Sequence, residues 1–197
     1  MEAHPKLFML LVGCTPPGRY TEQHDVYFQI GNSIADLIPG IIEFWPEANG
    51  DIHLDAWREV TNVDGYTVEI GPSNSPAGSA INSDDNRLFF LNLGGYKKDE
   101  FEEFHYKMLA VAKEKGEAVR QAKKTAFYKH TGFKGADSHI DDKYGIDVDD
   151  VYAIEDILPA DNKSKYTIEI SESLTDHEDE MHLGYFTFQK LLLQKKF

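Results

Sequence analysis

Of the histidines in this chain that stand two residues from a carboxylate, four fall at matched positions of a repeat: Glu22 with His24, His53 with Asp55, Glu103 with His105, and His139 with Asp141. On an extended strand, residues two apart project from one face. An imidazole and a carboxylate placed so can share a divalent metal, fix a histidine tautomer, or poise a general base. The alternative is structural: each pair is hydrogen-bonded and anchors a turn or a seam. One distance separates the readings. Imidazole nitrogens of His24 and His53 more than about 8 Å apart could not share a first-row ion, whose ligands sit about 2 Å from it.

Three other motifs read as structure. Gly13-Cys14-Thr15-Pro16-Pro17-Gly18-Arg19 has the glycines of a phosphate loop. It lacks the Lys-Ser/Thr, and its two prolines remove cradling N–H groups, so it reads as a strand-to-strand loop. Cys14 with His24 is a nucleophile-base combination in principle; a small buried thiol at a strand end is the reading favoured here. Asp142, Asp147, Asp149 and Asp150 lack the glycine and terminal glutamate of a calcium hand, and read as a solvated turn.

The elements that must position these residues occur twice. Lys6–Gly13 is an apolar run ending in glycine, a buried strand. Arg87–Gly94 repeats it 81 positions later, and at that offset Glu22 falls on Glu103 and His24 on His105. At an offset of 86, Asp51, His53, Asp55, Asp64 and Tyr66 fall on Asp137, His139, Asp141, Asp150 and Tyr152. In the first copy His24–Ile30 alternates as a second strand. Ser33 and Asp36 form a capping box before the stripe Ile34, Leu37, Ile38, Ile41, Ile42 and Trp45, and Pro39 bends that helix early. Ile52–Val60 and Tyr66–Ile70 are strands joined through Asp64-Gly65. In the second copy Phe101, Phe104, His105, Met108 and Ala112 also satisfy a helical template. The repeat overrules it and makes the segment a strand, with the helix later, where Ala118, Ala122 and Ala126 match Leu37, Ile41 and Trp45.

Gly13, Glu22-Gln23-His24-Asp25, His53-Leu54-Asp55 and Asp64-Gly65-Tyr66 together resemble the units of the family called domain of unknown function 1543. Glu103-Phe104-His105 and His139-Ile140-Asp141 resemble a second copy, which departs from the pattern at Tyr106 and Val151. The resemblance implies a bacterial-type cytoplasmic protein of one or two such units. It assigns no catalytic residue.

The expected fold class is α+β, with two tandem strand-strand-helix-strand-strand repeats packed as a pseudo-dimer. Residues 1–70 form the first repeat, 71–86 a linker, 87–158 the second repeat and 159–197 a C-terminal extension. In that extension Lys165–Ile170 reads as a strand, Ser171–Glu180 as a mobile acidic segment, and Tyr185–Phe197 as a closing strand or helix. A net charge of −14 argues against nucleic acid and anionic lipid surfaces as partners. One cysteine excludes an internal disulfide and a cysteine zinc cage. Leu11-Val12-Gly13-Cys14 has the form of a lipoprotein cleavage box. Its apolar run is short for a signal core and recurs in mid-chain, so it reads as a strand in a cytoplasmic protein. The functional expectation is a module that binds a small ligand or a protein partner, with internal pseudo-twofold symmetry. The alternative is a metal-assisted hydrolase using the paired histidines and carboxylates. The cofactor is unknown, a divalent metal ion being the one these residues suggest.

Overall fold

The computed structural model describes residues 4–73, 85–96, 99–131, 147–174 and 177–194. The chain is α+β and divides into two compact units. The first comprises residues 1–79 together with 158–197, and the second residues 80–157.

In the first unit, β1 (Lys6–Cys14) is an inner strand of a four-stranded antiparallel sheet. Its neighbours are β2 (Gln23–Gly31) and β3 (His53–Val60), and β10 (His182–Thr187) lies outside β3. The lipoprotein-like run is therefore sheet interior. Phe8, Leu10, Val12 and Cys14 alternate onto one face of β1 and join Tyr27, Leu54 and Trp57 in the core. That face is covered by Ile34, Leu37 and Ile41, and by Leu191 of α5 (Phe188–Gln194). The single helix expected over this stretch is two: a 3-10 turn over Ile34–Leu37, then α1 (Ile38–Phe44). Pro39 lies in the first turn of α1, where a missing N–H costs nothing. The Ser33 hydroxyl bonds to the Asp36 carboxylate at 2.8 Å rather than capping a backbone N–H.

The hairpin expected between Ile52–Val60 and Tyr66–Ile70 does not form: β3 pairs with β1 and β10, and it is the short β4 (Asn62–Val63) that turns back onto β5 (Tyr66–Pro72). Its turn residues Asp64 and Gly65 have φ of 53° and 80°, the left-handed pair that a two-residue turn requires. β5 pairs along its length with β9 (Tyr166–Glu172), the strand read from Lys165–Ile170. The acidic segment before β10 is partly anchored, contrary to its reading as mobile. The Asp179 carboxylate accepts bonds from the Thr61 backbone N–H and hydroxyl and from the Asn62 N–H.

The C-terminal stretch is tied to the first unit through α4 (Ala160–Lys165) as well. β2 is an edge strand, and its Ile30 N–H donates to Asn162 Oδ1 at 2.7 Å. Asn162 is only 3% exposed. Asn162→Ala leaves that donor buried without its partner, so urea denaturation should show a loss of about 2 kcal/mol.

In the second unit, β6 (Arg87–Tyr96) lies between β7 (Glu103–Ala112) and β8 (Asp147–Ala153). The segment with the ambiguous helical pattern is thus a strand, and α2 (Lys115–Thr131) follows it. Ala118 and Ala122 of α2 pack on Phe89, Leu91, Leu93, Ala110 and Ala153. Asp147, Asp149 and Asp150 belong to β8, not to a turn. Their acidity misled because Val148 and Val151, which pack on the core, carry the strand's apolar signal between them. α3 (Ile154–Ile157) ends the unit. Part of the expected linker, residues 74–84, lies outside the described residues.

The pairing within the two sheets runs in parallel. Leu7 faces Ile30 and Gly13 faces His24, while Leu88 faces Val111 and Gly94 faces His105. Each inner strand also meets its other neighbour through a register shift, between Leu11 and Val12 in β1 and between Asn92 and Leu93 in β6.

Candidate functional site: a histidine-carboxylate cluster over Gly13

The register of the first sheet builds the site. Gly13 lies between His24 on β2 and His53 on β3. Directly opposed residues share a face, and Val12 and Leu54 already occupy the core face. Gly13, His24 and His53 therefore face away from that core. The register shift sets Leu11 against Ala56 and Val12 against Leu54, so Asp55 is the extra residue of a β-bulge. Bulges re-aim side chains beside functional sites. This one swings the Asp55 carboxylate over Gly13, next to both imidazoles.

Glu22, one residue before β2, closes the ring. His24 Nε2 lies 3.1 Å from Asp55 Oδ2 and 3.6 Å from Glu22 Oε2. His53 Nε2 lies 3.0 Å from Glu22 Oε1 and 3.4 Å from Asp55 Oδ1. Imidazoles and carboxylates alternate, each carboxylate turning one oxygen to each imidazole. A Cβ on Gly13 would stand 2.7 Å from Asp55 Oδ2, 2.8 Å from His53 Nε2 and 3.1 Å from His24 Cδ2. Both imidazoles thus border the space above Gly13. A side chain at position 13 would fill the space between these groups.

The cluster has a buried side and an open one. His53 is 6% exposed, with the Tyr185 ring 4.2 Å away, centroid to centroid. The Glu22 and His24 side chains are partly open to solvent. His53 Nε2 and Asp55 Oδ2 are buried and have no hydrogen-bond partner among the described residues. Ion-pair distances without hydrogen-bond geometry mean that these atoms are not aimed at each other.

The second unit holds a looser counterpart. His105 Nε2 lies 3.4 Å from Asp149 Oδ2 and 3.9 Å from Glu103 Oε2. One donor atom from each of the three residues lies within 4.8 Å of the others. Asp149 is the residue skipped by the register shift in β8, and its carboxylate presses on Gly94. Asp147 is the residue opposite Gly94. His139 and Asp141, which the sequence matched to His53 and Asp55, lie outside the described residues, as do Asp137 and Asp142. Sequence reasoning missed Asp149 as the carboxylate partner of His105. The signal that could have found it was the valine-interrupted aspartate run Asp147-Val148-Asp149-Asp150-Val151, a strand pattern with one residue too many.

Cys14 takes no part. Alternation along β1 sends its thiol into the core, away from His24. Burial pushes that thiol's pKa up, helped by the nearby charges of Asp51 and Glu22. Cys14 should therefore resist a disulfide reagent in the native protein and react at the rate of global unfolding, as a stopped-flow thiol assay would show.

Residues 19–70 match the model of a family described as Domain of Unknown Function (DUF1543), and the match supports the family resemblance. That stretch contains Glu22, His24, His53 and Asp55. Among solved structures, the chain is similar to a protein Il1583 from Idiomarina loihiensis, seen in a crystal structure. The TM-score is 0.58 at 22% identity, covering 92% of this chain and 97% of that one, a likeness of fold. No curated protein matches this sequence. Among the described residues, no helix is long and apolar enough to cross a membrane.

Proposed function

We propose that this protein is a ligand-binding module whose site is the Glu22–His24–His53–Asp55 cluster. The observation that carries the reading is the convergence of four chemically capable side chains on a glycine that leaves room between them. A structural cluster would satisfy its own polar atoms, whereas this one leaves a buried imidazole nitrogen and a buried carboxylate oxygen without a hydrogen bond among the described residues. We further propose that the two units are diverged copies of one ancestral unit, with the second site the more altered. The shared register, the equivalent bulges and the paired glycines support this. A cytoplasmic, bacterial-type setting goes with the family resemblance. Metal-assisted hydrolysis is the second reading. It draws on the same four residues and is favoured by the solvent-facing side of Glu22 and His24, through which a substrate could reach the cluster.

Asp55→Asn and Glu22→Gln test the binding reading without knowledge of the ligand. In ligand-free protein each removes one of two carboxylates crowded around the site. A ligand site should keep its stability within about 0.5 kcal/mol, or gain, as functional sites do when their crowding is relieved. A loss of about 2–3 kcal/mol in Asp55→Asn by urea denaturation would instead make the cluster a structural ion-pair network.

A further inference from the structure

Resting on that reading of the site, we infer that its ligand is a divalent cation of the zinc class, held by His24 Nε2, His53 Nε2 and the carboxylates of Glu22 and Asp55. The residue types support this. Ligands about 2.1 Å from a common ion stand roughly 3.0 Å apart in an octahedral shell and about 3.4 Å apart in a tetrahedral one. Neighbouring imidazoles and carboxylates here stand 3.0, 3.1, 3.4 and 3.6 Å apart through both oxygens of each carboxylate, an open ring that would close in on the ion.

Burial is the independent observation. His53 is enclosed beneath Tyr185, and its Nε2 has no hydrogen-bond partner although Glu22 Oε1 is 3.0 Å away. Asp55 Oδ2, on the same point above Gly13, is likewise buried and unpaired. Such atoms are costly to leave unsatisfied. A cation between them satisfies both at once, and the two carboxylates balance its charge. The missing Cβ at Gly13 provides the space.

The donor set selects the ion. Calcium and magnesium take oxygen ligands, and two imidazoles disfavour them. With no thiolate in the ring, the softest ions have no special hold. Two nitrogens and two oxygens suit zinc, with manganese or cobalt as weaker occupants. The second unit, with one imidazole and two exposed carboxylates in looser array, should bind zinc more weakly.

The test is a calorimetric titration of ZnCl2 into the chelator-stripped full chain, free of any histidine tag. Co2+ absorption serves as a second readout of the ligand set. A first equivalent should bind at least 100-fold more tightly than Mg2+. His53→Gln and Asp55→Asn should each weaken that equivalent at least 100-fold and abolish the visible Co2+ bands, while His105→Gln leaves both within threefold. Should His53→Gln fail to fold, Asp55→Asn alone carries the comparison. Zinc binding no tighter than magnesium, or an affinity unchanged in Asp55→Asn, overturns the inference. Failure here with an undiminished stability of Asp55→Asn leaves a binding site for a ligand other than a metal. Failure of both removes the site altogether.

Discussion

Gly13→Ala should lower zinc affinity at least about 100-fold while leaving the fold intact, because the new methyl displaces two ligands at once. Its Cβ would stand 2.7 Å from Asp55 Oδ2 and 2.8 Å from His53 Nε2, closer than real Cβ contacts allow. Both obstacles are ends of side chains, which can rotate away, so the backbone of β1 need not move. The strand itself should gain, since glycine in a strand interior costs roughly 0.5–1 kcal/mol relative to alanine. Urea denaturation and zinc titration on one preparation would show the two effects with opposite signs. Gly94→Ala is the internal control, since its Cβ would meet Asp149 in the second unit. It should leave the tight equivalent unchanged.

Leu54→Ala should cost the first unit about 3 kcal/mol of stability. Leu54 is fully buried and packs in the core formed by Phe8, Leu10, Val12 and Ile41. It sits between His53 and Asp55 in sequence and on the opposite face of the sheet. Its removal opens a cavity under the strand that carries both ligands. Thermal unfolding followed by circular dichroism would measure the loss. In Asp55→Asn the loss should be absent, and that contrast between neighbouring residues separates core from site.

Much of this was legible in the sequence because it rests on short periods. The alternation from Phe8 to Val12 and the glycine after it mark β1, and the later recurrence marks β6. Reading the two segments as copies assigned β7 as a strand against a competing helical pattern, since Phe104 to Ala112 satisfies both periods locally. Glu22, His24, His53 and Asp55 could be named as candidates, but not brought together. That needed the bulge at Asp55, which a strict period of two conceals. Leu54 and Trp57 both reach the core although three residues apart, and this broken alternation was the available trace.

The rest depended on long-range pairing. β9 and β10 return to the first unit, a connection no local pattern encodes. Tyr185 reaches His53 only through that return. In the second unit, matching residues by identity favoured His139 and Asp141, whereas the backbone register sets Asp147 against Gly94 of β6 and leaves Asp149 as the skipped residue. An Asp at the position facing the glycine, where the first unit has His53, left nothing for an identity search to find.

The claim that Glu22, His24, His53 and Asp55 form one cation site is tested most directly by the imidazole nitrogens themselves. In long-range 15N–1H spectra of the metal-free chain, stepwise ZnCl2 should shift the Nε2 resonances of His24 and His53 together, with saturation at one equivalent. Both rings should end with the proton on Nδ1, as Nε2 ligation demands. If those two resonances stay where they were while zinc is taken up elsewhere, or move independently at different zinc levels, the four residues do not share an ion.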